Sequence, residues 1–154
     1  AMFFPDRTAG YAEARRVLRT GGRFIFNVWD RIEANDFANL VTQAAAEVFP
    51  NDPPQFLART PHGYHDTSQV RDDVARAGFS DISITTLSEV SRAATALDAA
   101  VAYCQGTPLR NEIEARDPGK LEHVTERAAQ AIAARFGDGA VEGATSGDVI
   151  TAMR

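Results

Sequence analysis

Apolar residues recur along this chain with two alternating periods, and the switches between them mark its elements. Tyr11, Ala14 and Leu18, with Val17 beside them, follow a helical spacing over about Arg7 to Arg19, with Asp6 placed to cap the start. Gly21 and Gly22 stop that helix, and Phe24, Ile25, Phe26, Val28 and Trp29 then set apolar groups on both sides of a strand. A strand with two apolar faces asks for cover on both, which predicts that residues 23–29 run through the interior of a layered sheet. Asn35 or Asp36 caps a second helix through Phe37, Leu40, Val41, Ala44, Ala45 and Val48, closed by Pro50.

The remaining pattern continues the alternation. Residues 50–66 hold Pro50, Pro53, Pro54 and Pro61 together with Phe56, Leu57, His62, Tyr64 and His65, and their aromatic content predicts an ordered, lid-like loop. Asp66 caps a helix carrying Val70, Val74 and Ala77, Gly78 ends it, and residues 80–87 alternate as a strand. Thr95 with Asp98 forms a capping box for a helix through Leu97, Val101 and Cys104. Leu109 to Arg116 adds a further turn or two, and Asp117 with Pro118 opens a long helix that Gly137 closes. Glycines 139 and 143 then lead to a last short strand over residues 148–153. Ala1 to Phe4, four apolar residues before a proline, read as the exit of a buried strand.

Composition narrows the function classes. At 154 residues, 44% hydrophobic and 24% charged, the chain has the make-up of one soluble domain with one core. A net charge of −5 and a pI near 5.2 give no general attraction to nucleic acid or to an anionic membrane. Cys104 is the one cysteine, so no internal disulfide forms, and its spacing with Leu97 and Val101 predicts a buried, inert thiol. No run reaches the roughly 20 apolar residues that cross a bilayer. The start carries no basic leader before an apolar core, and a cytoplasmic location is expected.

Met2-Phe3-Phe4-Pro5-Asp6, a helix ending in Arg15-Arg16-Val17-Leu18-Arg19-Thr20-Gly21-Gly22-Arg23, and an apolar strand after it resemble the region after the fourth strand of class I S-adenosylmethionine-dependent methyltransferases of the ubiquinone-biosynthesis-like, type 11 group. Ala77-Gly78-Phe79-Ser80-Asp81-Ile82 is similar to the entry of that family's sixth strand, and Val149 to Met153 to its last, antiparallel strand. The resemblance implies an α/β fold corresponding to the C-terminal half of a Rossmann-like methyltransferase sheet. About three strands and five or so helices are then expected in a single partial domain over 1–154, with the first strands upstream.

The family holds its cofactor chiefly with a glycine-rich turn after the first strand and an acidic residue closing the second. Gly21-Gly22 is no substitute, because it follows a helix and precedes a strand. The resemblance therefore implies S-adenosylmethionine for a parent enzyme and none bound to this chain, with only Met2, Phe3 and Phe4 placed to approach it. A small-molecule methyl acceptor would meet the lid at Phe56, His62, Tyr64 and His65, with His62 or His65 as base or orienting group, and Trp29 at the carboxyl end of the strand would line the pocket. Two histidines three apart lack the third and fourth ligands of a zinc site, so no metal is assigned. The residues around Arg110 to Asp117 read as a solvated face with local ion pairs. An unpaired apolar edge at residues 24–29 predicts a homodimer. The competing reading is a stand-alone ligand-binding or dimerisation module without catalysis.

Overall fold

The computed structural model describes residues 1–154, and its longer helices and three strands follow in the order the periodicity predicts, with a short helix added inside the stretch expected to be a loop and seven α-helices in place of five or so. Helix α1 spans Arg7–Val17, strand β1 Arg23–Trp29, α2 Asp36–Val48, α3 Phe56–Arg59, α4 Thr67–Arg76, β2 Ser80–Ala93, α5 Ala96–Cys104, α6 Leu109–Arg116, α7 Leu121–Phe136 and β3 Val141–Met153. Single 3₁₀ turns cover Ile32–Ala34 and Pro118–Lys120. The mixed α/β class, the three strands and an antiparallel last strand are as expected. The three strands form one sheet of order β1-β3-β2, in which β1 and β3 pair one to one from Arg23↔Met153 to Trp29↔Gly147. No helix is long and apolar enough to cross a membrane.

Local capping explains why α1, α4 and α5 begin where they do. The Asp6 carboxylate accepts from the Ala9 amide, Asp66 accepts from the amides of Ser68 and Gln69, and Thr95 accepts from Asp98 N while its hydroxyl donates to the Asp98 carboxylate. Asn35 occupies the cap position of α2 without a side-chain cap bond. Asp117 caps the 3₁₀ turn Pro118–Lys120 rather than α7 itself.

The chain divides into two compact units, where the pattern alone suggested one. Unit 1 comprises residues 1–31, 60–88 and 146–154, and unit 2 residues 32–59 and 89–145. The loop 50–66 is thereby split, with 50–59 in unit 2 and 60–66 in unit 1.

Unit 1 is two layers. Tyr11 of α1 stacks at an angle on Phe24 and Phe26, and Val70 and Val74 of α4 share its core with Val28, Ile150 and Ala152. Both helices therefore lie on the same face of β1 and β3. The opposite face, Arg23, Ile25, Asn27 and Trp29 of β1, stays wet, with Ile25 57% exposed. This corrects the expectation of a strand covered on both sides: β1 is an edge strand, and unit 1 has no helix for its second face. Ala1 to Phe4 is also not a strand. It is a turn closed by Phe4 N donating to Ala1 O at 3.0 Å, and Phe3 is 64% exposed.

Unit 2 packs α2, α5 and α7 around Phe37, Val41, Leu109, Ile113, Val124 and Ile132, with alanines 44, 45, 99, 100 and 128 letting the helices approach closely. The buried stripe of α5 is Ala96, Ala99, Ala100 and Cys104, while Leu97 and Val101 face solvent. Cys104 is thus buried as predicted, but on a different side of its helix from Leu97 and Val101. Apolar residues on every side of α5 leave its orientation to the helices it meets.

Burial pushes the Cys104 thiol up to about 11. A raised native value means the unfolded thiol ionises first. The stability this group contributes is therefore whole below about pH 9 and is lost between pH 9 and 11. Unfolding midpoints of the wild type are expected to fall across that window more than those of Cys104→Ala, and the native thiol should ignore aromatic disulfide reagents at pH 8 until the chain unfolds.

The charged stretch 110–117 also does more than solvate a face. Arg110 and Glu114 form the local pair expected of it, but Glu112 accepts from Gln55 N and Phe56 N at the start of α3 and pairs with Arg59. Burial raises the Glu112 carboxyl, and Arg59 with the two amides outweighs that and brings it below its usual range.

Candidate functional site

Three of the predicted site residues, Trp29, His62 and His65, come together in unit 1 at the carboxyl end of β1, where His62 touches each of the other two. Trp29 is the last residue of the strand and is 40% exposed. It stands opposite Gly147 of β3, where an added Cβ would lie 2.9 Å from Val28 O and 3.7 Å from the indole. Bare backbone at that position is what lets the strands close and the indole lie where it does. The indole rests against the ring of His62, centroid to centroid 6.0 Å.

His62 is only 6% exposed, and its Nδ1 lies 2.8 Å from the carbonyl oxygen of Asp30. His65 is exposed, and its Nδ1 lies 2.7 Å from the carbonyl oxygen of His62. A carbonyl oxygen can only accept, so each Nδ1 carries the hydrogen. Asp30 is itself fixed, because Ser146 Oγ donates to one carboxylate oxygen at 2.9 Å, the Arg31 amide donates to the other at 2.7 Å, and Asp30 N donates to Ser146 O. A chain of bonds thus runs from β3 through the end of β1 to both histidines.

Tyr64 belongs to the interior. Its hydroxyl donates to Asp73 Oδ2 at 2.8 Å and accepts from Tyr11 at 3.4 Å, and the Arg7 guanidinium sits 4.0 Å over its ring. Asp73 is also paired with Arg76. Burial, then the contacts with Tyr11 and Asp73, push the Tyr64 phenol well above its ordinary value, so it stays protonated. Elsewhere in unit 1, Thr86 of β2 donates to the buried carboxylate of Asp148 at 2.6 Å.

Phe56 is not part of this cluster: it is buried in the core of unit 2. Met2 packs on the core of unit 1, and Phe4 stacks edge-on against Tyr11 at 6.3 Å. No group of three or more His, Cys, Asp or Glu side chains is arranged to hold a metal ion.

Asp30, Ser146 and Asp73 escaped the sequence reading. Asp30 directly follows a predicted strand, a position that can signal a site. Ser146 acts through Asp30, far back along the chain, and Asp73 through the buried hydroxyl of Tyr64, neither of which a local pattern reveals.

No family model matches the chain. Solved structures that align with it include two methyltransferases. One is a candidate methyltransferase from Bacillus halodurans C-125, 13% identical, with 97% of this chain aligned to 63% of that one at a TM-score of 0.48. The other is phosphoethanolamine N-methyltransferase 2 of Haemonchus contortus, bound to phosphomonomethylethanolamine and S-adenosylhomocysteine, again 13% identical, with 97% of this chain aligned to 30% of that one at a TM-score of 0.38. The chain therefore spans less than two thirds of either.

Proposed function

We propose that this chain is the carboxyl-terminal part of an S-adenosylmethionine-dependent methyltransferase that acts on a small-molecule acceptor, and that it does not turn over as 154 residues alone. The observation that carries this reading is the pairing of β1 with β3. The strand that follows the Arg15-to-Arg23 segment pairs without a break with the last strand, and that last strand is antiparallel, as the sequence resemblance implies. The burial of β1 does not add to it. Under this reading the wet face of Arg23, Ile25, Asn27 and Trp29 is covered by a layer encoded upstream.

The residues present do not form a cradle for the cofactor. β1 leads into α2 through residues 30–35 and β2 leads into α5 through Ala94 and Thr95, neither with a glycine, while Gly21-Gly22 follows a helix. What this chain supplies is the acceptor side: an exposed indole face at Trp29, a rigid pair of histidines and a fixed backbone at Asp30. Alignment of the acceptor by such groups is the main contribution that a displacement reaction needs, and proximity of this kind can supply several kcal/mol, up to about 7–11 in the best cases.

The full coding sequence is expected to carry a glycine-rich strand-turn-helix upstream of residue 1, and its product to bind S-adenosylhomocysteine in calorimetry, while the 154-residue chain gives no heat. Micromolar binding by this chain alone, or an upstream sequence with no such turn, would overturn the reading. As a separate chain we expect a homodimer through β1, an edge strand with no proline and no bulge along its register. Sedimentation equilibrium of the same sample reads this, and a stable monomer at micromolar concentration removes it.

A further inference from the structure

We propose that His65 is the proton acceptor of unit 1, and that His62 and Asp30 are positioning residues that hold it in the tautomer able to act as one. The inference rests on the methyltransferase reading only for what brings the proton: an acceptor molecule with an N–H or O–H at the atom to be methylated.

The argument is one of valence. A neutral imidazole has one N–H and one lone pair, and in an unconstrained histidine the hydrogen resides mainly on Nε2. Here the carbonyl of His62 faces Nδ1 of His65 at 2.7 Å and places the hydrogen there. The lone pair is then on Nε2, the nitrogen turned away from that bond, on a side chain open to solvent. The carbonyl that does this cannot drift, because the His62 ring is buried, donates to Asp30 O at 2.8 Å and lies against Trp29.

His62 shares the tautomer but not the access. Of the two histidines, only His65 can meet a molecule arriving from solvent.

The proton leaves the N–H or O–H of the acceptor molecule for Nε2, its electron pair stays on that heteroatom, and His65 becomes an imidazolium. The charged neighbour is Asp66, whose carboxylate bonds from the Ser68 hydroxyl and from the amides of Gln69 and Ser68 hold below its usual range, with His65 contributing. It remains ionised at neutral pH. Trp29 on β1 and His62 in the loop are the other ring groups at the site, and of these only His62 titrates.

Long-range ¹H–¹⁵N correlation spectra of the 154-residue chain test the premise without any activity. Above their pKa values, His62 and His65 are expected as Nδ1–H tautomers. Diethyl pyrocarbonate, followed by mass mapping, should modify His65 and spare His62. An Nε2–H tautomer at His65, or modification of His62 as fast as His65, would overturn the proposal.

In the full-length product, His65→Asn keeps an amide N–H near the Nδ1 position but removes the base. Turnover of a proton-bearing acceptor should fall by about 100-fold or more, with S-adenosylhomocysteine affinity unchanged; undiminished turnover sinks the proposal. Failure of the wild-type full-length product to bind S-adenosylhomocysteine would instead remove the methyltransferase reading, and the spectra and the modification pattern would still decide the role of His65.

Discussion

Ile132→Ala is expected to cost about 3 kcal/mol of unfolding free energy, a loss in the usual range for truncating a fully buried isoleucine. Ile132 is completely buried on α7, where that helix packs on α2 and α5. The core it shares with those helices holds Ala44 and Ala45 of α2 and Ala99 and Ala100 of α5, all buried. Such short side chains have no reach with which to refill a cavity, so the site collapses poorly and the cost stays near the cavity limit. The matched control is Leu97→Ala on α5. Leu97 is 52% exposed, and its loss should stay within about 0.5 kcal/mol. Urea unfolding followed by helical circular dichroism measures both. A large loss at Leu97 with a small one at Ile132 would mean that α5 buries the other side of its surface.

Gly147→Ala should destabilise by about 2 kcal/mol although alanine costs less conformational entropy, because overpacking a closed site forces backbone to move. An added Cβ would stand 2.9 Å from Val28 O, which belongs to a neighbouring strand. That oxygen cannot swing aside as a side-chain end would. The strand would have to shift against Trp29, the single tryptophan, so its fluorescence should change along with the midpoint. Gly139→Ala is the control. Nothing lies within 4 Å of a Cβ there, and no change beyond about 0.5 kcal/mol is expected. Equal effects at the two glycines would show that Gly147 acts through chain entropy alone.

The same glycines explain where the reading of β3 fell short. Read along the chain, Gly143 leads into a last strand that starts at Asp148, which leaves both Gly143 and Gly147 outside it. In the fold they lie inside a strand that begins at Val141. Gly143 faces Phe37 and Asp36 at 3.0–3.2 Å, and Gly147 faces Val28 and Trp29. Their reason for being glycine is close approach, which only the neighbouring element reveals.

The candidate site divides in a similar way. Trp29, His62 and His65 were legible as a strand end and an aromatic, proline-rich loop. Tyr64 was legible as a residue but not as a core one, because its partners Tyr11 and Asp73 come from α1 and α4. The carbonyls of Asp30 and His62, which orient both rings, belong to backbone and carry no residue signature at all.

Local chemistry was enough to place the helices and their starts, since Asp6, Asp66 and Thr95 bond amides only two or three residues away and Gly78 and Gly137 adopt the positive φ that closes a helix. Those are interactions within a turn of chain, and sequence holds all of their terms. Which side of α5 is buried, that β1 has one dry face rather than two, and which imidazole nitrogen keeps its lone pair are different matters. Each depends on atoms dozens of residues away or on a backbone carbonyl, and a surface that is apolar all round becomes interior only where another element happens to cover it.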